Sequence, residues 1–378
     1  MRPESAEAAA ALLRTLGEEG RAVAPRGGGT KPWGPPTPDA TVVETGALDR
    51  ILEHNVGDFT AVLEAGVPLA EAQAAFAAHG QMLAVDPALG ASADEVGRGD
   101  EAAGRGSATV GGVMGANDTG PLRHRYGGMR DLVVGATVAL SDGTLAKSGG
   151  KVIKNVAGYD LAKLFTGSHG TLGLIVTATV RLHPKPVGNA TAVGATDDPD
   201  RLGAAAVALA ALPLEADCLD ADWRDGAGRL LVRFGAAAAP DQAAAAVERM
   251  RELGLEECAV VEDDDELWMA QRVHQRGECI VKVSGRITDL PAVCRTGARV
   301  VSRAALGLSW LAIDPGNLAA VRAELEPRAC TLLDAPAGLR AEAAWARPEA
   351  GSLAVMARLK ERFDPARSFK PGAFVGGI

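Results

Sequence analysis

Between Ala108 and Leu182 glycine falls where backbone has to come close to a large ligand. The stretches TVGGVMGANDTG, RHRYGGMRDLVVGATVALSDG and KNVAGYDLAKLFTGSHGTLG are interleaved with two alternating strands, Leu132–Leu140 and Leu172–Leu182. Without a Cβ, Gly111, Gly112, Gly115, Gly170 and Gly173 can turn sharply and leave N–H groups free to point at an anion. A second glycine run, APRGGGTKPWG at Ala24–Gly34, follows a short strand, as a phosphate loop should. Two separated phosphate cradles suit a dinucleotide pyrophosphate better than a mononucleotide. TVGG is not the GxGxxG that opens a Rossmann helix, and on its glycines alone the signal is weak.

At 378 residues the chain is long for one core, and two domains are expected. Apolar residues at 47% and charged residues at 23% describe a globular chain, while aromatics at 4% and 46 glycines imply packing through small side chains. The net charge of −9 argues against a nucleic-acid surface, which needs a clustered basic face. No apolar run reaches the roughly 18 residues of a spanning helix. Residues 1–20 read as an amphipathic helix capped near Ser5 rather than a signal peptide, because Glu4 and Glu7 accompany helically spaced Leu12, Leu13 and Leu16. The chain is expected in the cytoplasm, at most peripheral to the inner face of the cell membrane. Cys218, Cys258, Cys279, Cys294 and Cys330 are odd in number, widely spaced and without CxxC. They support neither an iron–sulfur nor a metal site, and read as small buried thiols.

Residues 1–187 alternate between periods of 2.0 and 3.6, which predicts a mixed α/β domain. The order is helix, strand Arg21–Ala24, glycine loop, strand Thr41–Glu44, helix, strand Phe59–Glu64, helix Leu69–His79 and a strand near Met82–Ala84. Ala91–Ser107 has turn composition and reads as an inserted surface loop. His183-Pro-Lys-Pro-Val-Gly closes this domain. Residues 188–378 begin βαββαβ, which predicts a ferredoxin-like sheet. Beyond the acidic helix Asp263–Gln275, strands Glu278–Ser284 and Gly307–Ile313 alternate with helices Leu290–Ala304 and Asn317–Glu326, a second half of the same kind.

These motifs together, through to FDPARSFKPGAF at Phe363–Phe374, resemble the PCMH-type FAD-binding flavoproteins of the vanillyl-alcohol oxidase family. Within that family the resemblance is to the FAD-binding E-type subunits of bacterial glycolate oxidase complexes. It implies an α/β (α+β) chain with a PCMH-type FAD-binding domain of two subdomains and a ferredoxin-like cap. It also implies FAD held by Arg26, Gly27, Gly28, Gly29 and Thr30 in the first cradle. Thr109, Val110, Gly111, Gly112, Ala116 and Asn117 form the second, with Asp86, Pro87, Tyr126, Gly127 and Arg130 recurring around it. Gly173, Ile175 and Val176 match the segment that meets the isoalloxazine and adenine, and His169 replaces the acidic residue of SEGTLG relatives. Thr30 stands where covalent members place histidine, and threonine has no nucleophilic nitrogen, so the FAD is expected to be non-covalent. Valine at Gly111 or Gly112 is expected to remove flavin binding more completely than it destabilises the fold.

The implied reaction is oxidation of glycolate, D-lactate or a related small 2-hydroxy acid. Electrons would pass through the flavin to a separate iron–sulfur F-type subunit, with a D-type subunit as second partner. No metal site is expected. The general base is not assigned: the histidines show no ligand spacing, and in the second domain His274, beside Arg272 and Arg276, is the nearest imitation of the D-type histidine cluster. Lys151, Lys154, Asn155, Tyr159 and Asp160 read as solvated or helix-starting residues, although a lysine near the flavin would favour its anionic reduced ring. Arg123, His124 and Arg125 form a cationic turn facing the flavin or a partner. Two further readings stay open: a stand-alone FAD oxidase of a hydroxy acid, sugar or alcohol, and a non-catalytic electron-transfer or assembly subunit.

Overall fold

The computed structural model describes residues 1–90, 107–151 and 159–378. Most of the expected loop Ala91–Ser107, together with Lys154 and Asn155, lies outside the described residues. The helix Ala6–Glu18 starts at Ser5, whose hydroxyl accepts from the Ala8 amide at 3.1 Å. Its buried face, Ala9, Leu13 and Leu16, packs on Val23, Val43, Leu174 and Val176. Val23–Arg26 and Thr41–Glu44 pair in parallel. A five-stranded antiparallel sheet follows in the spatial order Ile51–Asn55, Thr60–Glu64, Leu174–Arg181, Val133–Ala139, Leu145–Gly149. The helix expected after Glu44 is instead the strand Ile51–Asn55. The segment between Gly46 and Gly57 is too short for a stable helix, and pairing with Thr60–Glu64 satisfies its backbone.

Residues 190–334 build one eight-stranded sheet. Its first four strands lie in the order Glu256–Val261, Ala190–Thr196, Ala227–Phe234, Cys218–Arg224, the ferredoxin-like pattern. The next four repeat that pattern in mirror order: Arg299–Arg303, Leu308–Ala312, Ile280–Ser284, Ala329–Asp334. The halves join edge to edge through Ala221↔Ser302, Asp222↔Val301 and Trp223↔Val300. The helix expected over 290–304 stops at Cys294. Gly297 turns the chain at φ 73°, and the β-branched pair Val300 and Val301 then enters the sheet. Helices Pro199–Ala210 and Ala239–Glu252 cover one face, burying Leu202, Ala206, Leu230, Val232, Met250, Val281 and Leu311.

The opposite face carries Ile280, Val301, Trp310 and Leu333, which pack with Trp33 and Ala116 of the first unit. Arg303 and Asp220 lie fully buried near the seam between the halves, their side chains 2.5 Å apart. After the helix Ala350–Phe363 the chain returns to the first unit. The Val23 amide donates to the Ser368 carbonyl at 2.7 Å, the Lys370 amide donates to the Val23 carbonyl at 2.8 Å, and Phe369 is fully buried beside the first helix.

Candidate functional site

A cavity of about 370 Å³ opens where the two glycine runs meet. Arg26, Gly27, Gly28, Gly29 and Thr30 line one wall, with Thr109, Gly111, Gly112 and Ala116 opposite and Gly173 and Ile175 closing the end. Local structure explains the glycines. A Cβ on Gly28 would stand 1.8 Å from the Ser107 carbonyl oxygen, and one on Gly111 2.5 Å from Ala65 Cβ, so protein backbone demands these two. At Gly112 the nearest neighbour is Thr109 Oγ1 at 3.1 Å, and at Gly115 it is Ile175 Cδ1 at 3.9 Å. These two glycines leave their space to the cavity. Thr109 Oγ1 also accepts from the Gly112 amide at 3.2 Å, which starts the helix Val110–Ala116.

The charged side chains among the described lining residues are Arg26, Lys31, Arg340 and Lys370, all cationic. Such a wall fits the two negative charges of a dinucleotide pyrophosphate. Arg340 donates to the carbonyls of Pro32 and Gly34, fixing the loop that carries Trp33. Trp33 donates from Nε1 to Asp334 at 3.2 Å, and Arg276 binds the same carboxylate at 2.6 Å. Lys31 Nζ lies 3.4 Å from Asp118. Burial holds the Lys31 pKa below the ordinary amine value, opposed by the Asp118 charge.

His169 stands at φ 53° against Trp345, Phe374 and Trp33, with ring centroids 5.0, 5.5 and 6.4 Å away. Burial, then the Lys370 and Lys282 charges, push its pKa from 6.5 down to about 3. The folded chain therefore prefers the neutral ring. Its contribution to stability is complete above pH 6.5 and is lost as the pH falls from there toward 3. Between pH 7 and pH 5 the loss is about 2 kcal/mol. His169→Gln is expected to flatten the acid limb of the stability–pH curve by that amount, read by urea unfolding; parallel curves would refute it.

Several residues expected at the cofactor stand elsewhere. Val110 and Val176 are sealed in the cores, and Pro87 is buried outside the cavity wall. Asp86 accepts from the Leu122 amide at 3.0 Å and faces Arg272 at 3.7 Å; its burial raises its pKa to about 6. Tyr126 packs edge-on against His183 at 4.8 Å, Gly127 makes a turn at φ 78°, and exposed Arg130 donates to the Lys163 carbonyl. Asn117 caps the glycine helix with φ 48°. These groups fasten the cradle from behind or beside it. Arg125 is occupied by the Glu215 carbonyl and Asp217, while His274 ends the helix Asp265–Val273 away from the cavity wall. Lys151 pairs with Glu53, Tyr159 is 90% exposed, and Asp160 pairs with Lys163. Among the described residues no group of His, Cys, Asp or Glu is arranged to hold a metal ion. None of their helices is long and apolar enough to cross a membrane.

The fold is similar to that of PCMH-type FAD-binding flavoproteins, and its glycine-walled cavity is the place in it for the flavin. Residues 1–97 match the FAD binding domain family model. The chain is 33% identical over 186 residues to glycolate oxidase subunit GlcD of Bacillus subtilis, covering 49% of this chain and 36% of that protein. It is 35% identical over 187 residues to a D-lactate dehydrogenase of Archaeoglobus fulgidus, covering 49% and 38%. Against a D-2-hydroxyglutarate dehydrogenase of Stutzerimonas stutzeri it is 34% identical over 202 residues, covering 53% and 40%. The matches thus span well under half the length of these relatives. The fold is similar to that of an alkyldihydroxyacetonephosphate synthase, with a TM-score of 0.66 at 14% identity, covering 97% of this chain and 74% of that one.

Proposed function

We propose that the chain is the FAD-binding subunit of a glycolate-oxidase-type complex that oxidises glycolate, D-lactate or a related small 2-hydroxy acid. Residues 1–187, with Arg340 and Lys370 from the C-terminal part, hold the flavin, the sheet of residues 190–334 acts as cap, and electrons leave to an iron–sulfur partner alongside a D-type subunit, in the cytoplasm or at the inner membrane face. The carrying observation is the cavity itself: glycine faces left open at Gly112 and Gly115 within a wholly cationic set of charged lining residues. The glycolate oxidase subunit, D-lactate dehydrogenase and D-2-hydroxyglutarate dehydrogenase to which the chain is similar all act on 2-hydroxy acids, which supports the substrate class.

FAD, when bound, supplies the hydride acceptor. The chain's residues do the rest. With FAD bound, Gly112 would let backbone approach the pyrophosphate, Arg26 and Lys370 would offset its charge, and Trp33 and His169 would shield the cofactor from water. Thr30 offers no nitrogen for a covalent bond, so acid precipitation should leave all yellow colour in the supernatant; a yellow pellet would contradict this.

The reading is tested anaerobically on the purified FAD-loaded chain. Dithionite is expected to bleach the oxidised flavin bands, while glycolate and D-lactate leave them unchanged over minutes. A positioned base is worth about 10²–10⁴-fold, and no histidine stands at the cavity in a state to accept a proton beyond the cage-bound His169. Bleaching by the acid should follow when the D-type and iron–sulfur subunits are added. Rapid bleaching of the isolated chain would assign it a complete active site of its own, and a chain that takes up no FAD would end the proposal.

A further inference from the structure

None of residues 190–334 lines the flavin cavity, yet the loop that follows the first glycine run is anchored in their sheet. Trp33 stands in the cavity wall just beyond Thr30 and Lys31, and is 6% exposed. Its ring packs among Ile280, Val301, Trp310 and Leu333 of the sheet. An indole carries one donor and no acceptor, so a buried tryptophan needs an acceptor placed for Nε1 alone. Asp334 supplies it at 3.2 Å, from 301 residues further along the chain.

The strand Ala329–Asp334 delivers that carboxylate by an irregularity. Val281 pairs with Leu332, and a regular antiparallel ladder would then set Leu333 against Ile280. The register shifts there, and Asp334 takes the place opposite Ile280. One extra residue of this kind re-aims a side chain. Residues opposite one another share a face, so Asp334 joins Ile280 on the side that holds Trp33. Arg276 then fixes the carboxylate: Nε donates to Oδ2 at 2.6 Å and Nη2 to Oδ1 at 3.0 Å, while the Gly277 amide donates to Oδ2 at 3.4 Å. The same guanidinium lies 5.9 Å from the centroid of the Trp33 ring. The two side chains are 11% and 8% exposed, and a two-bond Arg–carboxylate pair shielded from water holds one geometry. On either side of Trp33, Arg340 takes the Pro32 and Gly34 carbonyls, and a Cβ on Gly34 would meet the Trp345 ring at 2.9 Å. Pro32, Trp33 and Gly34 are therefore all gripped from outside residues 1–187. A run of three glycines has more freedom to lose than any other sequence, and a cofactor that had to order it would bind more weakly.

We propose that Asp334 is a positioning residue for the cofactor: by holding Trp33 it fixes the end of the first glycine run, and the eight-stranded sheet thereby sets FAD affinity without lining the cavity. The proposal rests on FAD occupying that cavity. FAD then meets a loop that folding has already ordered.

The test titrates the apo-protein with FAD and follows flavin fluorescence. Asp334→Ala is expected to weaken FAD by about tenfold, the effect of losing one hydrogen bond to a charged group. Trp33→Phe, which keeps a ring in the sheet and removes the donor, should weaken it by a similar factor. Asp334→Asn keeps an oxygen for the indole and should hold FAD more tightly than Asp334→Ala. In the Trp33→Phe background Asp334→Ala should add less than about twofold, because the contact through which Asp334 acts is already gone. A full second loss there would make Asp334 a general support of the fold and overturn the proposal, as would wild-type affinity in either single variant. Should Asp334→Ala fail to fold, Trp33→Phe decides alone: wild-type affinity overturns the proposal and a tenfold loss supports it. A Gly112→Val chain that keeps its flavin would refute the cavity reading, whereas a flavin-free Gly112→Val beside an unaffected Asp334→Ala would refute the positioning role alone.

Discussion

Gly112→Val is expected to strip the purified chain of flavin while leaving it folded. The added side chain would enter open cavity, its nearest neighbour being the end of Thr109. Forcing a branched side chain into filled space costs about 1–3 kcal/mol even after neighbours shift, which is about 5- to 150-fold in FAD affinity. Gly111→Val should behave in the opposite way. Its Cβ would lie 2.5 Å from Ala65 Cβ and 2.8 Å from the Ala65 carbonyl oxygen, so the fold is hurt before the flavin is. Adjacent glycines that look equivalent in the sequence are thus separated by which neighbour needs the space. Flavin absorbance of the holo-protein and urea unfolding of the apo-protein distinguish the two. Full flavin content in Gly112→Val would remove the helix Val110–Ala116 from the cradle.

Lys360→Met is expected to be the most damaging single change outside the cavity. The Lys360 ammonium donates to the Thr171 carbonyl at 2.7 Å, the Phe369 carbonyl at 2.7 Å and Asp364 at 2.8 Å, and is 3% exposed. Asp364 is fully buried and also accepts from the amides of Ser368 and Phe369. Removing the cation leaves a buried carboxylate without its counter-charge, a loss of about 3–5 kcal/mol. The double change Lys360→Met with Asp364→Leu should recover part of it, since the stranded charge goes too. A loss below about 1 kcal/mol in the single variant would mean that water replaces the ammonium. Because this clamp holds Phe369 and the flanking Lys370, flavin affinity should fall along with stability.

Much of the fold was legible because its signals are local. Ser5 and the spacing of Leu13 and Leu16 marked the first helix, and the alternation of helix and strand after Ala190 announced a ferredoxin-like half and its repeat. Where the reading failed, tertiary pairing overrode local pattern: Ile51–Asn55 became a strand because Thr60–Glu64 offered it an edge, and Arg299–Arg303 because the seam did. The glycine runs located the cavity, since close approach of backbone leaves its mark in sequence. Its charged wall was less visible. Arg340 and Lys370 reach it from a distant part of the chain; Lys370 lies in the FDPARSFKPGAF motif, but nothing in that motif by itself places its side chain at the cavity, and no motif surrounds Arg340. Asp86, Tyr126 and Arg130, expected at the cofactor, do not line the cavity; they engage the Leu122 amide, the His183 ring and the Lys163 carbonyl.

The return of residues 364–378 to the first unit also sets an order of events during synthesis. The Lys370 side chain belongs to the cavity wall, and its backbone pairs with Val23 beside the first glycine run. A nascent chain that has already made both glycine runs and the whole eight-stranded sheet still lacks that wall. Residues 364–378 have to be made before that wall is complete, so the cradle closes only after the eight-stranded sheet has been synthesised.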